Sequence, residues 1–98
     1  MCYNVPMQKM ITFPSGLKLV FVQNTAVRSV ALGVFVGAGV IRETPDINGV
    51  SHFIEHMLFK GTKTRSSFDI VNEIDSIGAQ INAYTSKSCT CFHTVSLD

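Results

Sequence analysis

The sequence predicts an α+β fold: an antiparallel-rich sheet in the element order βββααββ, with its helices packed on one face. Three observations predict it. β-forming runs occupy both ends of the chain, two segments of helical periodicity lie between them, and the Gly and Pro turn signals fall at the joints. Apolar residues make up 46% of the 98 and charged residues only 15%, a balance that favours a packed core over disorder. A chain of this length buries roughly 60 to 70% of its unfolded surface, so the core is thin.

Residues 8–12 and 17–23 flank Phe13-Pro14-Ser15-Gly16, a turn between two β-rich runs, and read as a hairpin. Residues 28–36 form a third strand whose nearly continuous apolar character predicts burial on both faces, in mid-sheet. After Glu43-Thr44-Pro45-Asp46, either Asp46 or Asn48 is expected to cap a helix that runs to about Lys60 and stops at Gly61. A second helix follows Ser66 or Ser67, with Asp69 completing a capping box; Ile70, Val71, Ile74 and Ile77 form its apolar face, and Gly78 ends it. Residues 80–86 and 89–96 are two closing strands, with Lys87 near their turn. No internal repeat or Pro/Gly/Ser linker divides residues 1–98, which read as one unit.

Eight basic and seven acidic side chains leave a net charge of +1, far from the basic field of a nucleic-acid binder. The longest uncharged apolar run, residues 30–41, is about 12 residues where a membrane span needs about 20, so no membrane span is expected. Met1-Cys2-Tyr3-Asn4-Val5-Pro6 does not have the pattern of a signal peptide. Cys2, Cys89 and Cys91 are odd in number, and the last two stand too close for an unstrained bridge on one strand. Free thiols suit a reducing compartment, and the expected location is cytoplasmic.

On the first helix, Val50, Phe53, Ile54, Met57 and Leu58 gather on the side expected to bury against the sheet, while His52, Glu55, His56 and Phe59 fall opposite. Two imidazoles one turn apart can share a zinc ion, and the carboxylate between them can reach water at that ion without being a ligand. His52-Phe53-Ile54-Glu55-His56 is the inverted zincin pattern H-x-x-E-H. Flat residue usage gives about a 1% chance of meeting it by accident, so its surroundings must support it.

The surroundings carry a resemblance. The segment from Asn48 to Thr62, Asn-Gly-Val-Ser-His-Phe-Ile-Glu-His-Met-Leu-Phe-Lys-Gly-Thr, resembles the signature of the pitrilysin/insulinase zinc metallopeptidases. It looks most like their processing-peptidase branch, closest to bacterial processing proteases, and the mitochondrial processing-peptidase β subunit shares much of the pattern. Residues 12–19 resemble the opening hairpin of that family, and residues 77–86 resemble its strand after the second helix. The resemblance implies a zinc metalloendopeptidase, with His52 and His56 as zinc ligands and Glu55 as the general base. It also implies that Asn82, Ala83, Tyr84 and Thr85 form an edge strand that pairs with an extended peptide or unfolded-protein substrate.

The family's third ligand is a glutamate on a later helix, further along than the 42 residues after His56, so the Zn2+ site has only two identifiable protein ligands here. Residues 1–98 are therefore expected to be the amino-terminal part of a metallopeptidase domain. The isolated chain is expected to be inactive, with a homo-oligomer or a complementing chain as possible partner types. A second class of function stays open: a non-catalytic fragment or subunit acting by protein association. Glu73 reads as an exposed helix carboxylate. Cys89, Cys91 and His93, alternating onto one strand face, read as half-buried packing.

Overall fold

The computed structural model describes residues 7–97, so the expectations for the Met1–Pro6 segment, and for Cys2 within it, lie outside the described residues. Strands β1 (Met7–Thr12) and β2 (Lys18–Gln23) pair antiparallel from Met7↔Gln23 to Thr12↔Lys18. The predicted turn joins them: the Phe13 N–H donates to the Leu17 carbonyl, the Gly16 N–H donates to the Phe13 carbonyl, and Gly16 sits at φ +85°. This hairpin is a two-stranded sheet of its own. Strands β3 (Ser29–Val36), β4 (Gln80–Thr85) and β5 (Thr90–Leu97) form a second antiparallel sheet in the order β3-β5-β4.

The α+β class and the element order are those the sequence predicts. The position of β3 is not, since it lies at the edge of its sheet rather than in the middle. The chain leaves β3, passes through both helices to β4 at the opposite edge, and the tight β4–β5 hairpin then returns β5 to the centre. An apolar run on both faces of a strand records that both faces are suited to cover, but it does not name the neighbour. Val30, Leu32, Val34 and Phe35 are 51 to 69% exposed. Among the described residues, the side chains classed as buried are Ala79, Thr90 and Cys91. The accessible surface of 8412 Å² exceeds the roughly 5,500 Å² expected of a compact monomer of this mass. No helix of the described residues is long and apolar enough to cross a membrane.

Helix α1 (Val50–Met57) is shorter than expected and starts differently. Neither Asp46 nor Asn48 caps it: residues Pro45–Ile47 form a 3-10 turn, and Gly49 holds the cap position at φ +88°. Gly61 is not the immediate stop either, because it pairs with Ser66 across a small turn. Helix α2 (Ser67–Ser76) begins at the predicted capping box. The Asp69 N–H donates to the Ser66 hydroxyl at 3.2 Å, and the Ser66 N–H donates to the Asp69 carboxylate at 2.8 Å. Gly78, at φ +62°, ends the helix in a Schellman arrangement: its N–H donates to the Asp75 carbonyl and the Ala79 N–H donates to Ile74.

The segment leaving β3 lies on the β4–β5 turn. The Val40 and Ile41 N–H groups donate to the Ser86 and Lys87 carbonyls, and the Thr90 hydroxyl donates to Ala38. A Cβ on Gly39 would come within 2.5 Å of the Ser86 carbonyl oxygen, so only glycine permits this approach. The clamp fixes the end of β4 in place.

Candidate active site

The start of α1 is held from a distance. A carboxylate outside the usual cap position, Glu43, accepts from the Gly49 N–H at 2.6 Å and the Ser51 N–H at 2.9 Å. It satisfies two of the donors that every helix start leaves free and places negative charge at the positive end of the helix. Those hydrogen bonds, first that of Gly49 and then those of Ser51, lower the Glu43 pKa below its ordinary value near 4.5. A depressed carboxylate pKa contributes stability that is present above the unfolded value and lost as pH falls through the folded one. Glu43→Gln is therefore expected to lower the melting temperature at neutral pH and to flatten its fall below about pH 4.5; Asp69, lowered by Ser66, keeps part of that fall in both proteins. Identical acid limbs in the two proteins would contradict this role.

On the helix so anchored, the Nε2 atoms of His52 and His56 stand 2.9 Å apart, with ring centroids at 4.5 Å and planes at 87°. Two nitrogens each about 2.0 to 2.1 Å from a common zinc would subtend roughly 90° at this separation, within reach of a distorted tetrahedral site. The imidazole pair thus fits two positions of a zinc shell. Among the described residues no group of three or more His, Cys, Asp and Glu side chains converges as a metal set.

Glu55 lies between the two histidines, its Oε2 3.9 Å from His52 Nδ1, and its side chain is only 13% exposed. Its surroundings differ from the sequence expectation. The helix face that meets the rest of the chain is the row Ser51, Glu55 and Phe59, which is half-buried, whereas Phe53, Ile54, Met57 and Leu58 are 48 to 62% exposed. The helices stand beside β4, so the row carrying Glu55, and not the apolar stripe, faces the sheet, while His52 and His56 stay exposed. The contact is specific: the Thr85 hydroxyl donates to Glu55 Oε2 at 2.5 Å.

The other residues of the expected edge strand lie along β4. Among the described residues this strand pairs with β5 alone, from Gln80↔Val95 to Thr85↔Thr90. The Ala83 N–H donates to the Asn82 side chain at 2.8 Å. Tyr84 lies opposite Cys91, and the hydrogen bond with that thiol is the first cause raising the Tyr84 pKa. Cys91 is buried in β5, while Cys89 lies one residue before that strand, in the turn, with its sulfur 3.3 Å from the Ser86 hydroxyl; both are free. Glu73 pairs with Arg65 through both carboxylate oxygens, at 2.9 and 3.0 Å. A cavity of about 470 Å³ between α2 and the sheet is lined by Phe59, Ile70, Ile74, Asn82 and His93, among others.

Two residues were not legible as contributors. Glu43 lies six residues before the first N–H it accepts, outside the local spacing of capping rules. Thr85 stood out only for its main chain, and nothing in its sequence neighbourhood ties its hydroxyl to a helix thirty residues earlier.

A sequence profile of the family described as "Insulinase (Peptidase family M16)" matches residues 18–98. An uncharacterized zinc protease of Bacillus subtilis is 51% identical over 92 residues, covering 94% of this chain and 22% of the relative. A probable mitochondrial-processing peptidase subunit beta of Arabidopsis thaliana is 37% identical over 95 residues, covering 97% of this chain and 18% of that one. The crystal structure of a protease from Helicobacter pylori shares the fold, with a TM-score of 0.86 over 97% of this chain and 23% of the other at 24% identity. The chain thus spans about a fifth of the length of these relatives.

Proposed function

Because the chain belongs to the insulinase (M16) peptidase family, we propose that it supplies one half of a zinc endopeptidase site, with His52 and His56 as ligands and Glu55 as the general base. The observation that carries this reading is the imidazole pair, with its Nε2 atoms 2.9 Å apart, beside a carboxylate held against the sheet edge. Relatives named as zinc proteases support the choice of metal.

Bound zinc supplies Lewis-acid polarisation of the scissile carbonyl and a water nucleophile at neutral pH. The chain's own residues do the rest. His52 and His56 present their Nε2 atoms from one helix face, whose direction is set by Glu43 at the helix start. Glu55, between the two histidines on the same helix, would take the proton from the attacking water and return it to the leaving amine. The outer edge of β4 along Asn82, Ala83, Tyr84 and Thr85 would pair with an extended peptide once the Ala83 N–H exchanges its bond to the Asn82 side chain for one to substrate, which would align the scissile bond beside the helix. The substrate class is therefore a peptide or unfolded protein in extended form. A complementing segment or chain supplies the remaining ligand.

The test is zinc binding by the complete gene product, measured by competition with a chromogenic chelator. Wild type is expected to take up one zinc. His52→Ala and His56→Ala should each cost more than the roughly 10- to 100-fold that loss of an outer-shell partner costs. Unchanged affinity in both variants would contradict the ligand assignment.

A further inference from the structure

Thr85 is the last residue of β4, where the strand meets the turn clamped by residues 38–41. That turn is closed by its own hydrogen bonds: the Ser86 N–H and hydroxyl both donate to the Cys89 carbonyl at 2.8 Å, and the Cys89 N–H donates back to the Ser86 hydroxyl at 3.1 Å. The Thr85 backbone is thus held on both sides, by the register with Thr90 and by the turn. Its β-branched side chain has few rotamers to choose from. From this fixed point its hydroxyl reaches Glu55 Oε2 at 2.5 Å, the short distance of an O–H donor on a carboxylate.

The neighbouring positions cannot substitute for it. Side chains alternate along a strand, so Asn82 and Tyr84 point to the opposite face, and Ala83, on the same face as Thr85, has no donor. Ser86 is committed to the turn. Glu55 by contrast stands on a flexible stem with three rotatable bonds, and the helix alone does not determine where its carboxylate points. A base placed about 1 Å out of line can lose on the order of a hundredfold in rate.

We propose that Thr85 is the positioning residue of the base: its hydroxyl holds Glu55 by Oε2, leaving Oε1 as the oxygen that takes the proton. This side-chain role is separate from the main-chain pairing of β4 with substrate. It rests on the reading of Glu55 as the base of a zinc peptidase.

Thr85→Val keeps the shape and removes the donor; Thr85→Ser keeps the donor. In the complete gene product, Thr85→Val is expected to lower kcat about tenfold or more, with KM and zinc stoichiometry unchanged within about twofold. Thr85→Ser should restore kcat to within about threefold of wild type. A second measurement needs no zinc and no turnover. In the metal-free protein, Thr85→Val and Glu55→Ala should be non-additive in denaturant unfolding, coupled by about fivefold or more in the unfolding constant. Additive effects, a kcat within about twofold of wild type for Thr85→Val, or a change confined to KM would each overturn the proposal. A wild-type protein that neither binds zinc nor cleaves peptide refutes the zinc-peptidase reading before any Thr85 variant is made, and the positioning role falls with it. Coupling measured in the metal-free protein tells that failure apart from absence of the contact.

Discussion

Glu55→Gln in the complete gene product is expected to reduce hydrolysis of an unstructured peptide by about 10²- to 10⁴-fold, the usual contribution of a positioned general base, while zinc stays bound. The amide is nearly the same size as the carboxylate and still accepts a hydrogen bond from the Thr85 hydroxyl, so the helix and the sheet edge keep their contact. What it loses is the capacity to take a proton. The two histidines are left in place, because their Nε2 atoms converge on each other and Glu55 Oε2 comes only to 3.9 Å from the far ring nitrogen of His52, Nδ1. Retained turnover would remove Glu55 from the chemistry. Loss of zinc together with turnover would make it a ligand or a structural residue instead of the base.

The second large effect concerns residues 1–98 in isolation. Purified alone, they are expected to bind zinc weakly, to show no measurable turnover and to self-associate. Two imidazoles leave a zinc ion largely hydrated, whereas catalytic sites use three protein ligands and hold back one position. Self-association follows from surface. The accessible area is about half as large again as that of a compact monomer of this mass. The radius of gyration, 16.7 Å, exceeds the roughly 13 Å of a compact domain of this length. Phe21, Leu32, Phe35, Phe53 and Phe68 are all more than half exposed, on the hairpin, on β3 and on both helices. Apolar area on that scale marks surfaces that associate. Sedimentation velocity with zinc competition checks both parts. A monodisperse monomer holding stoichiometric zinc tightly, with chelator-sensitive turnover, would contradict them and show that these residues complete a site by themselves.

Where the physics is local, the sequence was readable. Phe13-Pro14-Ser15-Gly16 specifies its turn through proline's fixed φ and glycine's access to positive φ. Ser66 and Asp69 cap α2 as their spacing requires, and Gly78 ends it, because those contacts run between residues a few positions apart. The imidazole pair was legible for the same reason, since a four-residue step on a helix places two side chains together whatever surrounds them.

The features that escaped are long-range. The apolar stripe of α1 was expected to bury against the sheet and does not: periodicity does not say which neighbour is present, and within these residues the neighbour is the edge of β4 on the other side. The same gap misplaced β3, whose composition suits a covered strand while its pairing puts it at an edge. Glu43 and Thr85 act across turns of the chain that no spacing rule describes. These two residues fix the start of the helix and the direction of its carboxylate, so the part of the site that tertiary structure added is its alignment.

On the reading proposed above, His52 and His56 hold one zinc ion between them. Crystals of the complete gene product grown with zinc, measured on either side of the zinc absorption edge, test it most directly. A single anomalous peak about 2.0 to 2.1 Å from both Nε2 atoms, beside but not bonded to Glu55, is the predicted result. A peak bound to Glu55 in place of either histidine, or no zinc at this helix with zinc held elsewhere in the protein, would contradict it.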